Sequence, residues 1–484
     1  MAETNEAVFS MSPEFATDVI MMENTVDLDS GIRDDRAQYL GIMYSLGLDF
    51  RTKERGPEFY LQFRRYGPYN YDCPVLINNT LQTFTGKVHP YTNAEYLPEI
   101  GSVWCDMPIP GIPINLKGGL YTYSVGHQIA LMGSFENYGI MVYTETEDKR
   151  FRCRGYFCWP DVANSMSLGP KIKQEKEQGM AWNKGKTYFW ALDMLVSFSE
   201  SNTIQPYVGC LIDRSNERLN LFSTPTNDDL LGTVGCSLDL VFFDRLSVSF
   251  EAAKNFGGAQ SCDPSFDDVI HRGYIFYADA EYEMKLSSPH TRFIFSSGNK
   301  LTTDMINNGD TTYPGTKNNA FSTISPFNAN LIDSVYHNIP TLPLVAMGNG
   351  VGINYGVRRP ETFNDPVELD NLILVNAGFS GDLSKNASFT FDWWYLSNVE
   401  KGIGVYNGVP KVLSPDLGHE FDMIFTYSVT KNITFDIYSG IFFPGAAYRE
   451  ERTDTGGSLF TPFVRGDGKA DPAYEAEISI TVSY

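Results

Sequence analysis

Long hydrophobic runs are missing from this sequence. No stretch approaches the roughly 18 apolar residues that a membrane-spanning helix needs, which excludes helical spans. Positive charge is scarce too: 37 Lys and Arg stand against 59 Asp and Glu, for a net charge of −22. Phosphate recognition needs clustered cations, so nucleic acid is excluded as a partner. Catalytic and metal-ligand spacings are also lacking. The six histidines (His89, His127, His271, His290, His337 and His419) form no HExxH or similar pattern, and no GxSxG elbow is present. Gly348-Asn349-Gly350-Val351-Gly352 lacks the spacing of a dinucleotide loop and reads as a glycine-rich strand. Asp467-Gly468-Lys469-Ala470-Asp471 reads as a solvated loop, because a calcium site needs six or more converging oxygens. No enzyme activity, cofactor or metal is expected. The seven cysteines are odd in number and contain no metal-type pair of CxxC motifs. Cys210 and Cys236 fall on apolar strand faces, and a Cys73–Cys105 or Cys153–Cys158 bridge stays open. Met1-Ala2-Glu3-Thr4 has none of the charged and apolar character of a secretory signal and reads as a mature terminus.

Aromatics, by contrast, are abundant: 14% of residues, with 28 Tyr and 33 Phe. The pattern they sit in is clearest at the end of the chain. Tyr474, Ala476, Ile478, Ile480, Val482 and Tyr484 alternate without a break against Glu475, Glu477, Ser479, Thr481 and Ser483. Strict period two marks a strand with one apolar and one polar face. A strand ending on a terminal aromatic suits an outer-membrane barrel, whose last strand pairs with the first. Mean hydropathy of −0.23 is consistent with this, since every second residue of a barrel strand is polar.

Taken in order, residues 1–35 are acidic and without sustained period, and read as a periplasmic tail ahead of a barrel over 36–484. Strands follow at about 37–50 and 58–66. Prolines blur 67–127, and a poorly bounded strand is expected near 128–133. Hairpins then recur at 138–146/149–159, 187–199/205–213, 232–241/246–254, 273–284/291–298, 371–380/386–396 (turning at Gly381-Asp382) and 419–428/433–443. Short turns alternate with long polar stretches at 160–186, 214–231, 255–272, 299 to about 340, 397–418 and 444–472. That is the asymmetry of short periplasmic turns and long extracellular loops. With room for further strands in 67–127 and 320–358, the expectation is a single all-β, antiparallel transmembrane barrel of about 18 strands, within 16–20.

Parity assigns the side chains. Trp190, Leu192 and Met194 would face lipid, which leaves Asp193 inside. Tyr274, Phe276 and Tyr282 outside leave Asp279, Glu281 and Glu283 inside. Asp239 and Glu251 take the polar side of their hairpin. Phe391 and Trp393 outside leave Asp392 inside. Phe421, Met423, Phe435 and Ile437 outside leave Glu420, Asp422 and Asp436 inside, with Glu475 and Glu477 on the last strand. Phe151, Cys153 and Phe157 outside put Arg150, Arg152 and Arg154 inward, and Arg64 and Arg292 share that side. These residues are the candidate pore lining. Bases gather on early strands and acids on late ones, and carboxylates prevail, so a mild cation preference is expected.

Leu417-Gly418-His419-Glu420-Phe421-Asp422, followed by Ile441-Phe442-Phe443-Pro444-Gly445, resembles the "LGHE.D … FFPG" hairpin of the alginate-export family of outer-membrane barrels. Phe295-Ser296-Ser297-Gly298-Asn299, with Lys317-Asn318-Asn319-Ala320-Phe321, resembles that family's "ASGD … F" segment. Residues 110–120 resemble a strand that ends in Gly-Arg-Gln in the family; Gly119-Leu120-Tyr121 stands here instead. The resemblance implies an 18-strand monomeric barrel that passes solutes. It does not carry over alginate, because the inward carboxylates depart from an arginine-dominated lumen. The expected function is passive, substrate-selective transport across a bacterial outer membrane, by polysaccharide export or small-solute diffusion. The expected partners are membrane lipid, the solute, and the barrel-assembly machinery through the C-terminal strand. The alternative is a barrel that sheathes or scaffolds a periplasmic or redox partner.

Overall fold

The computed structural model describes residues 7–23, 36–52, 56–77, 80–87, 99–131, 137–158, 187–213, 226–261, 268–299, 317–319, 321, 371–401, 403–407, 409–451 and 468–483. Among them, 18 strands pair in one closed antiparallel ring. The first six are β1 (Ala7–Glu23), β2 (Arg36–Thr52), β3 (Glu58–Ile77), β4 (Glu99–Pro108), β5 (Asn115–Tyr121) and β6 (Asn137–Glu145). Next come β7 (Phe151–Cys158), β8 (Thr187–Ser197), β9 (Thr203–Asp213), β10 (Thr226–Phe242), β11 (Leu246–Ser261) and β12 (Tyr274–Tyr282). The ring is completed by β13 (Ser288–Ser296), β14 (Leu372–Ser384), β15 (Ala387–Asn398), β16 (Asp416–Thr430), β17 (Ile433–Pro444) and β18 (Ala473–Ser483). β18 closes on β1, from Glu14 opposite Ser483 to Glu23 opposite Tyr474. Tyr484 lies outside the described residues.

Closure corrects the expected 1–35 tail: the barrel begins at Ala7, and the seam partner of the last strand is 7–23 rather than 37–50. Phe9, Met11, Phe15, Val19 and Met21 do alternate along β1. Pro13 on that parity, and apolar Val8, Ile20 and Met22 on the other, dilute the signal. In lipid every backbone group needs a partner inside the protein, so a ring without this strand would leave two open edges. A second correction concerns the strand expected near 128–133, whose described part, 128–131, forms no barrel strand. The stretch 67–127 instead supplies the far end of β3 together with β4 and β5. Gly381 and Asp382 are strand residues, and that hairpin turns at Lys385-Asn386. The expected room for strands in 320–358 lies outside the described residues, save Phe321.

Connections on one rim are short: 53–57, 109–114, 146–150, 198–202, 243–245, 283–287, 385–386 and 431–432. Those on the other rim are long, such as 159–186, 297–371 and 445–472. The chain enters and leaves on the short-turn rim, which is the periplasmic side of such barrels. At 243–244 Phe243 and Asp244 both hold positive φ, 56° and 59°, and Arg245 N–H donates to Phe242 O at 3.1 Å. That primed turn follows the right-handed twist of its strands. Short extra strands extend the long-loop rim. Thr80–Lys87 pairs with the end of β3, Val269–His271 pairs with β11 and runs parallel to Lys317–Asn318, and Ile403–Tyr406 pairs with Val409–Val412.

The two faces of the ring differ as alternation demands. Large apolar side chains stand outward and exposed, among them Trp190, Leu192 and Met194 of β8 and Phe276 and Tyr282 of β12. Aromatic rings meet around the outside: Phe9, Phe50 and Phe59 across β1–β3, and Phe379, Phe391, Phe421 and Phe443 across β14–β17. Such bands hold a barrel at the lipid–water boundary. No described helix is long and apolar enough to cross a membrane, and the strands do the crossing. Cys105, Cys153 and Cys158 carry free thiols, so neither disulfide considered from the sequence forms.

Candidate functional site

Side chains of opposite parity to the exposed apolar rows point into the barrel. Between β5 and β6 the chain adds to that interior. Residues 122–131 fold against the inner wall, and Tyr123, Val125, Ile129, Ala130 and Leu131 are buried there with Tyr156, Phe189, Tyr207 and Leu211 of the strands. Two glycines permit the fit. Gly126 turns at φ 58°, where a Cβ would meet the Glu251 carboxylate at 2.7 Å, and a Cβ on Gly209 of β9 would meet Leu131 Cδ2 at 2.8 Å.

Two buried carboxylates clasp this segment. Asp193 of β8, 1% exposed, accepts from Tyr123 Oη at 2.6 Å, Gln205 Nε2 at 2.8 Å and Arg154 Nε at 3.0 Å. Arg154 Nη2 also donates to Ser124 O at 2.9 Å, and its guanidinium lies 5.0 Å from the Tyr123 ring centroid. Tyr123 in turn stacks on Tyr156 at 4.4 Å. Glu251 of β11, 2% exposed, accepts from His127 N–H at 2.6 Å, from the Ala130 N–H and from the Tyr207 hydroxyl. Asp193 thus anchors the start of the segment and Glu251 its end.

The remaining inner wall divides by chemistry. Over β3–β7 it is aromatic, with Lys117, Arg152 and Arg154 set among Glu58, Asp106 and Glu145. Trp104 stacks on Tyr60 at 5.5 Å, Lys117 Nζ sits 3.4 Å from the Trp104 ring centroid, and Tyr143 Oη donates to Asp106 at 2.7 Å. Over β12–β18 it is rich in carboxylates. Asp279 takes Arg292 Nε at 3.2 Å, and Asp392 takes His290 Nε2 and Asn376 Nδ2, each at 2.7 Å. Arg292 Nη1 lies 3.9 Å from Asp392. Asp436 accepts from Thr426 Oγ1 at 2.6 Å. Outside that stretch, on β10, Asp239 accepts from Ser249 Oγ at 2.6 Å and Thr203 Oγ1 at 3.1 Å. Glu420, Asp422 and Glu475 are buried and Glu477 is half-buried.

The candidates read from parity therefore separate. Arg152, Arg154, Asp193, Glu251, Asp279, Arg292 and Asp392 stand on the networked parity, as do Glu420, Asp422, Asp436, Glu475 and Glu477. Asp239 joins them beside His127, whose Nε2 is 3.5 Å from it. Glu281 lies near the short-turn end of β12 and is exposed. Two positions move. Arg150 belongs to the turn 146–150, is 67% exposed and lies 3.7 Å from Asp148; Glu283 begins the turn 283–287, where its N–H donates to Arg245 O. The strands stop one residue short of both, β7 beginning at Phe151 and β12 ending at Tyr282, so alternation does not reach them. The Arg64 side chain lies outside the described residues. Sequence reasoning missed Tyr123, His127, Gln205, Tyr207, His290 and Asn376. The run Tyr121, Tyr123, Val125 followed by Gly126 held a signal, a strand parity broken by a turn glycine. Among the described residues no group of three His, Cys, Asp or Glu side chains is arranged to hold a metal ion.

A closed antiparallel ring, an apolar outer belt with aromatic bands and a charged, hydrogen-bonded interior define an outer-membrane β-barrel. Residues 352–461 match the model of the alginate export family, a span that includes the hairpin resembling it in sequence. Among solved structures the fold is similar to OccK8 (OprE) of Pseudomonas aeruginosa, with a TM-score of 0.51, 9% identity and 98% of each chain covered. It is also similar to OccAB2 of Acinetobacter baumannii, with a TM-score of 0.50, 10% identity and 98% of each chain covered. No curated protein matches the sequence.

Proposed function

We propose that this barrel is a passive pore that admits small polar solutes across the outer membrane. Residues 122–131 narrow the passage, and a transverse field runs across it between the aromatic wall of β3–β7, which carries Lys117, Arg152 and Arg154, and the carboxylate-rich wall of β12–β18. The observation that carries the reading is the inner segment clasped at both ends by buried carboxylates, one on β8 and one on β11. A fixed narrowing in a charged bore sorts small solutes by shape and charge, as charged rings do in pores. It leaves less room for a bulky polymer, so uptake of small solutes is favoured over polysaccharide export. The last strand is the expected handle for the barrel-assembly machinery.

The test is reconstitution into planar bilayers. Discrete conductance with mild cation selectivity at low salt is expected, weakening as salt screens the field over about 8–10 Å. Replacing Arg152 and Arg154 with Gln is expected to strengthen that preference. A silent barrel would point to the alternative, a sheath or scaffold filled by a partner. Anion selectivity of the unmodified pore would overturn the assignment of the walls.

A further inference from the structure

Among the described residues the outward rows of β10–β13 carry no charge from the short turns up through Leu238, Phe250, Phe276 and Phe293. The exception lies higher, on β11 and on the chain that leads into β12. Along 268–277 exposure alternates without a break. Val269, His271, Gly273, Ile275 and Tyr277 are buried inside, while Asp268, Ile270, Arg272, Tyr274 and Phe276 are exposed outside. On β11 Lys254 is exposed on the outer face too, directly opposite Tyr274. Arg272 takes the next outward position beyond Tyr274. It is therefore the diagonal neighbour of Lys254, with backbones about 7–8 Å apart.

Height decides what meets these two cations. From Arg245 in the short turn to Lys254 the strand climbs about 30 Å along its length, at about 3.3 Å per residue. At a tilt of about 35–45° that is about 21–24 Å along the barrel axis, against an apolar band about 25 Å tall. Lys254 thus stands where hydrocarbon gives way to headgroups on the long-loop, extracellular side. Aromatic rings mark the same level: Tyr274 lies 5.8 Å from both Phe276 and Phe295 between centroids. A charge on the lipid face is costly at mid-membrane and tolerated at this boundary. Among the described residues neither the Lys254 nor the Arg272 side chain has an ion-pair or hydrogen-bond partner. Asp268 and Lys317, exposed at the top of the strip, add one charge of each sign. The strip stays positive in a chain of net charge −22.

We propose that this outward strip of β11 and β12 is a docking site for a phosphate-bearing glycolipid of the outer leaflet, its phosphate held between Lys254 and Arg272. An ammonium and a guanidinium fork side by side suit a phosphate, the first as a point charge and the second through paired N–H donors. Directly below, Phe276, Phe250 and Phe293 are exposed and give acyl chains an apolar wall to lie on. The site stands apart from the pore reading, since a barrel that conducts nothing would carry it equally.

Lipid A and its dephosphorylated form share sugars and acyl chains and differ in phosphate, so they form the probe pair. Native mass spectrometry of the whole barrel in detergent reads which lipid stays bound. Lipid A is expected to bind about tenfold or more tightly than the dephosphorylated form, since each cation at an anionic lipid surface is worth about fivefold. Lys254→Gln together with Arg272→Gln is expected to abolish that preference and to leave binding of the dephosphorylated form unchanged. The same exchange at Arg245 and Lys285, in short turns on the opposite rim, is expected to change nothing. Equal binding of the two lipids by wild type leaves the cations as depth anchors and overturns the site. A double variant that keeps the preference, or a preference that follows Arg245 and Lys285 instead, overturns it as well. Inorganic phosphate that displaces lipid A at equal concentration would give the cations to a free anion and overturn the glycolipid. Both replaced side chains point away from the barrel interior, so the fast-migrating form in SDS is expected to persist. If the variant fails to fold, the wild-type comparison of the two lipids decides alone.

Discussion

Removing the Glu251 carboxylate offers a direct test of the inner segment. Glu251→Ala leaves two segment N–H groups, of His127 and Ala130, and the Tyr207 hydroxyl without their acceptor. Each buried donor stranded in this way costs about 1–3 kcal/mol. The three together give about 3 kcal/mol at the low end, and water entering the vacated space satisfies part of that loss, so about 2–3 kcal/mol is the working figure. At about 1.4 kcal/mol per tenfold, seating of the segment is disfavoured by roughly 30–150-fold relative to wild type. The strands themselves are untouched, because β11 keeps its ladder to β10 and β12. Single-channel recording is the assay. The variant is expected to conduct more and to show larger open-state fluctuations. Glu251→Gln, which keeps one acceptor oxygen, is expected to stay close to wild type. A Glu251→Ala channel with the conductance and noise of wild type would refute the view that this carboxylate clasps the segment over the bore.

Three further outcomes follow from the same geometry. Arg154→Gln removes the cation held by Asp193, and breaking a buried pair from one side costs about 3–5 kcal/mol. The temperature at which the barrel loses its fast-migrating form in SDS is expected to fall, and adding Asp193→Asn to restore most of it. Leu192→Arg places a charge on the lipid side of β8, where Leu192 is 48% exposed, and is expected to destabilise the barrel by about 2–4 kcal/mol in lipid refolding titrations. Deleting everything after Ala473 opens the seam between β17 and β1, and no heat-modifiable, folded species is expected.

The sequence carried the fold further than the site, for a physical reason. Alternation in β8, β15 and β18 is legible because the two faces of each strand meet different surroundings, lipid and the barrel interior. In β1 the same logic holds, but Pro13 and the run from Glu14 to Asp18 blur it. The stretch near 128–133 resembles a strand because Ile129 and Leu131 alternate on one side of it, yet those side chains pack on the inner wall rather than on lipid. The clasp of Asp193 and Glu251 was visible only as inward charge. Its partners Tyr123 and His127 come from a distant stretch, and no spacing rule joins them. The meeting of His290 with Asp392 across β14 was out of reach of parity, which says which face a residue takes and not which residues stand level. Register, set strand by strand around the ring, decides that.

The clasp also fixes an order of events. Tyr123 and Asp193 are 70 residues apart in the chain, and His127 and Glu251 are 124 apart. The segment lies between β5 and β6, yet the groups that hold it belong to β8 and β11. Contacts this distant carry a large loop-closure entropy, and they form only after the intervening hairpins have brought their ends together. Until β8 and β11 are paired into the ring, neither carboxylate can hold 122–131 against the wall. The bore is wide while the wall is being laid, and its narrowing is among the last features to form.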